Sequence, residues 1–217
     1  MKIGGFQTMT LSDFPGLTAA ILFTQGCNFC CPFCHNKILL DIHRSKSQLM
    51  DIDSLIETLR HRKKILDGLV ITGGEPTIQE DLFPFIKEVR KIGYKIKLDT
   101  NGSRPNVIKK LLEHNILDYI AMDIKAPFEK YNLLCGVEVE PDAIKESIHM
   151  IGNADLTSMF RTTYVPALLS EKDIESIRSL VPYNSQYKVQ RFVPQNTEEQ
   201  SFLEYDGTNM KNGCCYI

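Results

Sequence analysis

The sequence predicts an α/β fold, an open and partial (β/α)6 barrel built on parallel strands. Three observations lead there. Short β-rich apolar runs alternate with helical patterns, the order that builds a parallel sheet with crossover helices. The first run, Thr18–Thr24, is apolar at nearly every position, as a strand covered on both faces should be. The 217 residues accommodate about six strand–helix units, whereas a closed eight-unit barrel typically takes about 250.

The elements follow in order. After Thr18–Thr24, strands are expected at Gly68–Thr72, Lys95–Asp99, Tyr119–Asp123, Phe160–Val165 and Tyr187–Phe192. Between them, Ile52, Leu55, Ile56 and Leu59 fall at i, i+3, i+4 and i+7, one face of a helix. Leu82, Phe85, Ile86 and Val89 repeat that pattern behind a capping box expected at Thr77-x-x-Glu80. Pro141 suits a helix first turn, with Ile144, Ile148 and Ile151 behind it. Ser170 with Asp173 opens the helix carrying Ile174 and Ile177. No repeat, low-complexity tract or linker divides the chain. Residues 1–217 read as one domain, with a core at about 16–194 and a tail at about 195–217. A TIM-like sheet of this kind gathers its chemistry at the carboxyl ends of its strands.

Composition narrows the function classes. An apolar fraction of 43% furnishes a full core, and the longest apolar runs fall far short of a membrane span. Met1-Lys2-Ile3-Gly4-Gly5 does not read as a signal peptide. Seven Cys without an export signal point to reduced thiols and a cytoplasmic location. A formal charge of −2 lays down no basic footprint, so neither nucleic acid nor membrane is an expected partner.

The chemistry concentrates in Cys27-Asn-Phe-Cys-Cys-Pro-Phe-Cys34, which contains Cys27-x3-Cys31-x2-Cys34. A [4Fe–4S] cluster normally takes four Cys ligands. A site supplying three leaves one iron open, as catalytic zinc sites leave a position open for substrate. Cys30 offers a second register, Cys27-x2-Cys30-x3-Cys34, and a zinc site using these thiols with His35 is the competing reading. Structural zinc sites, however, usually bring a second ligand pair at a distance, and none is found here. The spacing resembles the cluster motif of the radical S-adenosylmethionine (SAM) superfamily, whose open iron is chelated by the SAM amino and carboxylate groups. In that family an aromatic residue before the third Cys lies against the adenine, which here implies Phe33.

Further polar motifs end the expected strands. Gly73-Gly74-Glu75-Pro76 follows the second, Asp99-Thr100-Asn101-Gly102 ends the third, and Met122-Asp123-Ile124-Lys125 ends the fourth. Any one of them could be a turn or a helix cap. Together with the Cys loop they share one rim. The first resembles the superfamily's GGEP segment, which receives the SAM ammonium, and implies Gly73, Gly74, Glu75 and Pro76 as SAM-binding residues. The other two resemble the DTNG and DLK-type segments of glycyl-radical-enzyme activases. That resemblance implies Asn101 and Lys125 as SAM contacts, with Asp99 also at the ribose and carboxylate. It further implies Asp99, Thr100 and Asp123 as ligands of a monovalent cation, for which hard oxygen donors are suited.

Cys31-Pro32-Phe33-Cys34-His35-Asn36 resembles the CPYCHN stretch of small activases. Gly5-Phe6-Gln7, Leu11-Ser12-Asp13-Phe14-Pro15-Gly16, Thr24-Gln25-Gly26-Cys27-Asn28 and Gln190-Arg191-Phe192-Val193-Pro194 resemble the branch that activates anaerobic (class III) ribonucleotide reductase. The resemblance implies reductive cleavage of SAM to a 5′-deoxyadenosyl radical, which takes a hydrogen atom from a glycine Cα of a partner enzyme. It also implies a one-electron donor such as flavodoxin or ferredoxin. Two alternatives stay open: a radical SAM enzyme acting on a small molecule, such as a 7-carboxy-7-deazaguanine synthase, and a zinc-stabilised binding domain. Arg161 and Tyr164 are candidate linings of the SAM pocket, and His35 a candidate support for the cluster. Cys135 reads as a buried thiol and Cys214 and Cys215 as part of a frayed terminus. His43, His61, His114 and His149 read as solvated surface, and Arg60–Lys64 as a helix end favoured by the helix dipole.

Overall fold

A computed structural model describes residues 1–43, 45 and 49–193. The tail expected at 195–217, with Cys214 and Cys215, lies outside the described residues, as does Pro194. Among the described residues, seven strands form one open sheet in the order of the chain. They are β1 (Ile3–Thr10), β2 (Ala19–Thr24), β3 (Gly68–Gly73), β4 (Lys95–Thr100), β5 (Tyr119–Asp123), β6 (Thr157–Tyr164) and β7 (Gln186–Arg191). From β2 to β7 every neighbour is parallel, which gives the six parallel strands expected. β1 is an addition. It pairs antiparallel with β2, and two irregularities interrupt its register.

The crossovers carry α1 (Ile52–Arg62), α2 (Leu82–Ile92), α3 (Pro105–Glu113), the short α4 (Tyr131–Cys135), α5 (Pro141–Gly152) and α6 (Glu171–Leu180). The caps explain several boundaries. Ser170 and Asp173 close a capping box on α6, and Pro141 occupies the first turn of α5. α2 departs from expectation. It begins after Asp81, and Thr77 instead lies in a 3₁₀ turn over Pro76–Ile78 with its hydroxyl on Glu75. No Thr77–Glu80 box forms, because Glu75 has already taken both Thr77 donors.

Strand periodicity sorts the side chains. Leu22, Ile71, Leu98, Ile120, Met122 and Phe160 pack beneath the helices in the main core, which also takes Leu59 of α1, Ile86 of α2 and Ile148 of α5. Their neighbours in sequence face the opposite, concave side. There Ile21, Val70, Tyr119 and Ala121 form a small apolar floor with Phe14 and Ala19. The same alternation carries Phe23, Thr72, Asp99, Asp123, Arg161 and Thr163 to the concave side nearer the strand carboxyl ends, where they line a cavity. Among the described residues, no helix is long and apolar enough to cross a membrane.

Candidate active site

The cavity holds about 500 Å³ at the carboxyl ends of the parallel strands. Its wall on one side is the loop after β2. Both ends of that loop are tied down. Gln25, fully buried, donates through Nε2 to Ile38 O at 2.9 Å and Asp41 O at 2.8 Å, and Gly26 N donates to Leu39 O at 2.8 Å. Between these ties Cys27, Cys31 and Cys34 all line the cavity, and Cys30 does not. The Cys30 N–H instead donates to Cys135 O at 2.7 Å. Cys135 is buried at the end of α4, as expected, and its thiol hydrogen-bonds Cys31. That bond lowers the Cys31 pKa, whereas burial raises those of Cys27, Cys34 and Cys135.

Among the described residues, no three His, Cys, Asp or Glu side chains draw close enough to share a single metal ion. A zinc tetrad needs that convergence on one point. A cubane takes one thiolate at each of separate irons, so three spaced thiols on a fixed loop suit it. His35 is exposed and stacks on Phe192 with ring centroids 4.9 Å apart. Phe33 is buried, lines the cavity and meets Phe192 edge-on at 6.4 Å.

The turn after β3 forms the next wall. Gly73 and Gly74 line the cavity, and a side chain at either would strike the neighbouring chain. An added Cβ would lie 2.3 Å from Thr24 N at Gly73 (φ +115°) and 2.0 Å from Gly26 O at Gly74. The pair therefore lets the turn press against the root of the Cys loop. Glu75 N completes the junction by donating to Gly26 O at 2.8 Å.

Glu75 and Pro76, expected at the SAM ammonium, are buried behind the cavity wall rather than among its lining residues. The Glu75 side chain is only 1% exposed and accepts four hydrogen bonds. Oε1 takes Thr77 N at 3.0 Å, Thr77 Oγ1 at 2.5 Å and Thr100 Oγ1 at 2.7 Å, and Oε2 takes Asn101 N at 2.7 Å. Burial still pushes its pKa up against these donors. Glu75 thus binds the turn after β3 to the end of β4. Asn101 lines the cavity, but its amide is committed to Asn28 Oδ1 at 3.0 Å and to Ser103 Oγ at 2.6 Å. Asn28, not among the sequence candidates, is the link that carries this network back to the Cys loop.

The floor is charged. Asp123 on β5 lies directly opposite Arg161 on β6. Arg161 Nε donates to Asp123 Oδ1 at 2.8 Å and Nη1 to Asp99 Oδ2 at 3.1 Å. Lys125 Nζ holds Asp123 Oδ2 at 3.0 Å, and Lys97 Nζ holds Asp99 Oδ1 at 2.6 Å. Burial of Asp123 works against its ionisation, but Arg161 and Lys125 outweigh it and hold the carboxyl well below its ordinary range. Arg161 lines the cavity as expected. Tyr164 does not, because it lies three residues further on, the other way round the strand, and packs against the main core. Lys97, a lysine inside an apolar strand, gave no motif by which to find it.

A family model for the radical SAM superfamily matches residues 21–181 of this sequence. The chain belongs to the radical SAM superfamily. Its cofactors are a [4Fe–4S] cluster and SAM. A Methanocaldococcus jannaschii protein named "Putative glycyl-radical enzyme activating enzyme" is 32% identical over 205 residues, 92% of this chain and 83% of that one. The pyruvate formate-lyase-activating enzyme of Clostridium pasteurianum is 26% identical over 185 residues, 82% of this chain and 74% of that one. Among solved structures, Streptococcus suis SuiB bound to S-adenosylmethionine superposes with a TM-score of 0.63 at 16% identity. The match covers 80% of this chain but only 40% of SuiB, and it bears on the fold.

Proposed function

We propose that this radical SAM enzyme is a glycyl-radical-enzyme activase, and that its partner is an anaerobic ribonucleotide reductase. The observation that carries the reading is the meeting of three loop-borne thiols, a glycine turn and a fixed cationic floor in one cavity. Cys27, Cys31 and Cys34 would each take one iron of a [4Fe–4S] cluster, which when bound supplies the electron that cleaves SAM to methionine and a 5′-deoxyadenosyl radical. The residues around it orient and shield. The backbone of Gly73 and Gly74 faces the ligand's ammonium, Lys125 and Arg161 face its carboxylate, and the Phe33 ring offers an apolar surface to the adenine. Asp99 and Asn101 border the ribose. Glu75 and Pro76 act from behind by holding the turn.

Names of relatives support the activase class, two of them being glycyl-radical or pyruvate formate-lyase activating enzymes. The motifs at 5–16, 24–28 and 190–194 support the reductase as partner, and a flavodoxin or ferredoxin would deliver the electron. Anaerobic reconstitution with iron and sulfide, then dithionite and SAM, should yield 5′-deoxyadenosine. Adding the reductase should give the doublet electron paramagnetic resonance signal of a glycyl radical. SAM cleavage without that signal, for the reductase and for other glycyl radical enzymes alike, would refute the activase reading and favour a small-molecule substrate. A colourless, zinc-loaded protein that leaves SAM intact would refute the whole.

A further inference from the structure

We propose that Arg161 is a built-in counter-cation that takes the place of a bound monovalent ion between Asp99 and Asp123, so that SAM binding requires neither sodium nor potassium. The proposal rests on the SAM-site reading above and corrects the cation-ligand expectation for Asp99, Thr100 and Asp123.

The donor set does not fit a free ion. A hard cation needs oxygen lone pairs aimed at one point. All four carboxylate oxygens are already engaged: Asp99 by Lys97 and Arg161, Asp123 by Arg161 and Lys125. Thr100, the third expected ligand, donates its hydroxyl to Glu75 at 2.7 Å and accepts from Gly102 N at 3.1 Å.

Charge gives the same answer. Lys97, Lys125 and Arg161 against Asp99 and Asp123 make three positive charges and two negative, a net of +1 for the ion-paired network, with the exposed Asp13 elsewhere in the cavity lining. These groups are shielded, with Arg161 18% and Asp99 13% exposed, so a further cation would meet repulsion little screened by water. The same surplus suits the carboxylate of an amino acid ligand. Arg161 suits the bridging role because its guanidinium stays charged and presents five N–H donors in a fixed fork. Two of them span the aspartates, and the residue still borders the cavity. Its position is built into the sheet, since Asp123 and Arg161 are register partners on adjacent strands.

The test uses the reconstituted holoprotein. The SAM dissociation constant is measured by equilibrium dialysis in sodium, potassium or tetramethylammonium chloride at equal ionic strength. The expected result is the same constant, within about twofold, in all three. An affinity that falls tenfold or more in tetramethylammonium and returns with potassium or sodium would overturn the proposal. Failure to bind SAM in any buffer would overturn the SAM-site reading itself, and the proposal with it. Arg161→Met should create the dependence that the wild type lacks: weak binding in tetramethylammonium, recovered in part by potassium. A second readout needs no SAM. Melting of the cluster-free wild type should be unchanged among the three salts, and a specific rise in Tm with potassium or sodium would count against Arg161.

Discussion

Replacing Glu75 by Gln separates two roles for the GGEP carboxylate. If Glu75 met the SAM ammonium, the change would weaken SAM binding and leave the fold alone. In the structure it accepts four hydrogen bonds at 2.5–3.0 Å while only 1% exposed, so the first loss should be stability. The amide oxygen can replace Oε1 and keep its three donors. The amide nitrogen must then face Asn101 N–H across a contact now 2.7 Å long, donor against donor. The hydroxyls of Thr77 and Thr100 can turn away, but the backbone N–H cannot. An unsatisfied buried donor costs about 1–3 kcal/mol. The three surviving bonds also lose their charge assistance, which relief from burying a carboxylate offsets. The net expectation is a loss of about 2 kcal/mol, and about 4 kcal/mol for Glu75→Ala, which strands four donors and leaves a cavity. Urea unfolding of the cluster-free protein reads both, through the midpoint at unchanged slope. The sign with pH is also fixed. A carboxyl whose folded pKa is raised is least costly when protonated, so wild type loses stability as pH rises through the unfolded value of about 4.3. The gap to Glu75→Gln should therefore be widest below the unfolded value and narrow as pH rises from there through the raised folded pKa. An unchanged midpoint together with lost SAM affinity would refute this reasoning and return Glu75 to the ligand.

Three more outcomes follow from the same geometry. Cys27→Ala, Cys31→Ala or Cys34→Ala should each abolish the cluster's visible absorbance and 5′-deoxyadenosine formation, whereas Cys30→Ala should keep both; loss through Cys30 alone would demand the other register. Gly74→Ala puts a methyl 2.0 Å from Gly26 O, so the melting midpoint should fall by the equivalent of at least about 2 kcal/mol, and an unaffected variant would mean that the junction yields. Asp173 resists ionisation through its slight burial, but Lys130 at 2.7 Å and Ser170 bring its pKa down to about 2. Asp173→Asn should cost about 1 kcal/mol at pH 7, a difference that shrinks as pH falls below the unfolded value of about 3.9 and vanishes near 2; a pH-independent gap would exclude the carboxylate as its source.

What could be read from the sequence was what local pattern determines. Of the six parallel strands, β2, β3 and β5 announced themselves as apolar runs buried at nearly every position, whereas β6 and β7 are mostly half-buried or exposed and showed only as β-rich stretches between helical patterns. β1 did not, since Ile3-Gly4-Gly5-Phe6-Gln7-Thr8-Met9-Thr10 has two glycines and a mostly exposed second half. It is held as an edge strand by pairing with β2, a non-local cause. α3 does carry a local signal, Pro105 in its first turn with Ile108 and Leu111 buried, but it follows directly on the turn residues Asn101 to Arg104. The thiol spacing identified the Cys loop. It could not show that the Cys30 N–H is taken by the Cys135 carbonyl, because that contact joins residues 105 positions apart. The acidic motifs end the strands at which they were expected, but the donors within the chain that surround them could not be named. Which atoms satisfy Glu75, Asp99 and Asp123 depends on strand register, and register is a property of the assembled sheet.

That difference changes what the acids mean. Read as motifs, Glu75, Asp99 and Asp123 make a negative site that calls for cations: an ammonium and a metal ion. In the fold each is already answered from within the chain, Glu75 by four neutral donors and the aspartates by Lys97, Lys125 and Arg161. What borders the cavity beside the three thiols is this paired network, whose cations, counting Lys97 behind the lining, outnumber its acids by one, with Asp13 also in the lining. Burial raises the pKa of Cys27 and Cys34 and the Cys135 hydrogen bond lowers that of Cys31, with Lys125 a smaller downward pull on all three. A network of that sign suits a carboxylate ligand, and it is fixed in place because Asp123 and Arg161 pair across adjacent strands. The acids in this arrangement are the scaffold that fixes the cations, and Lys125 and Arg161 border the cavity.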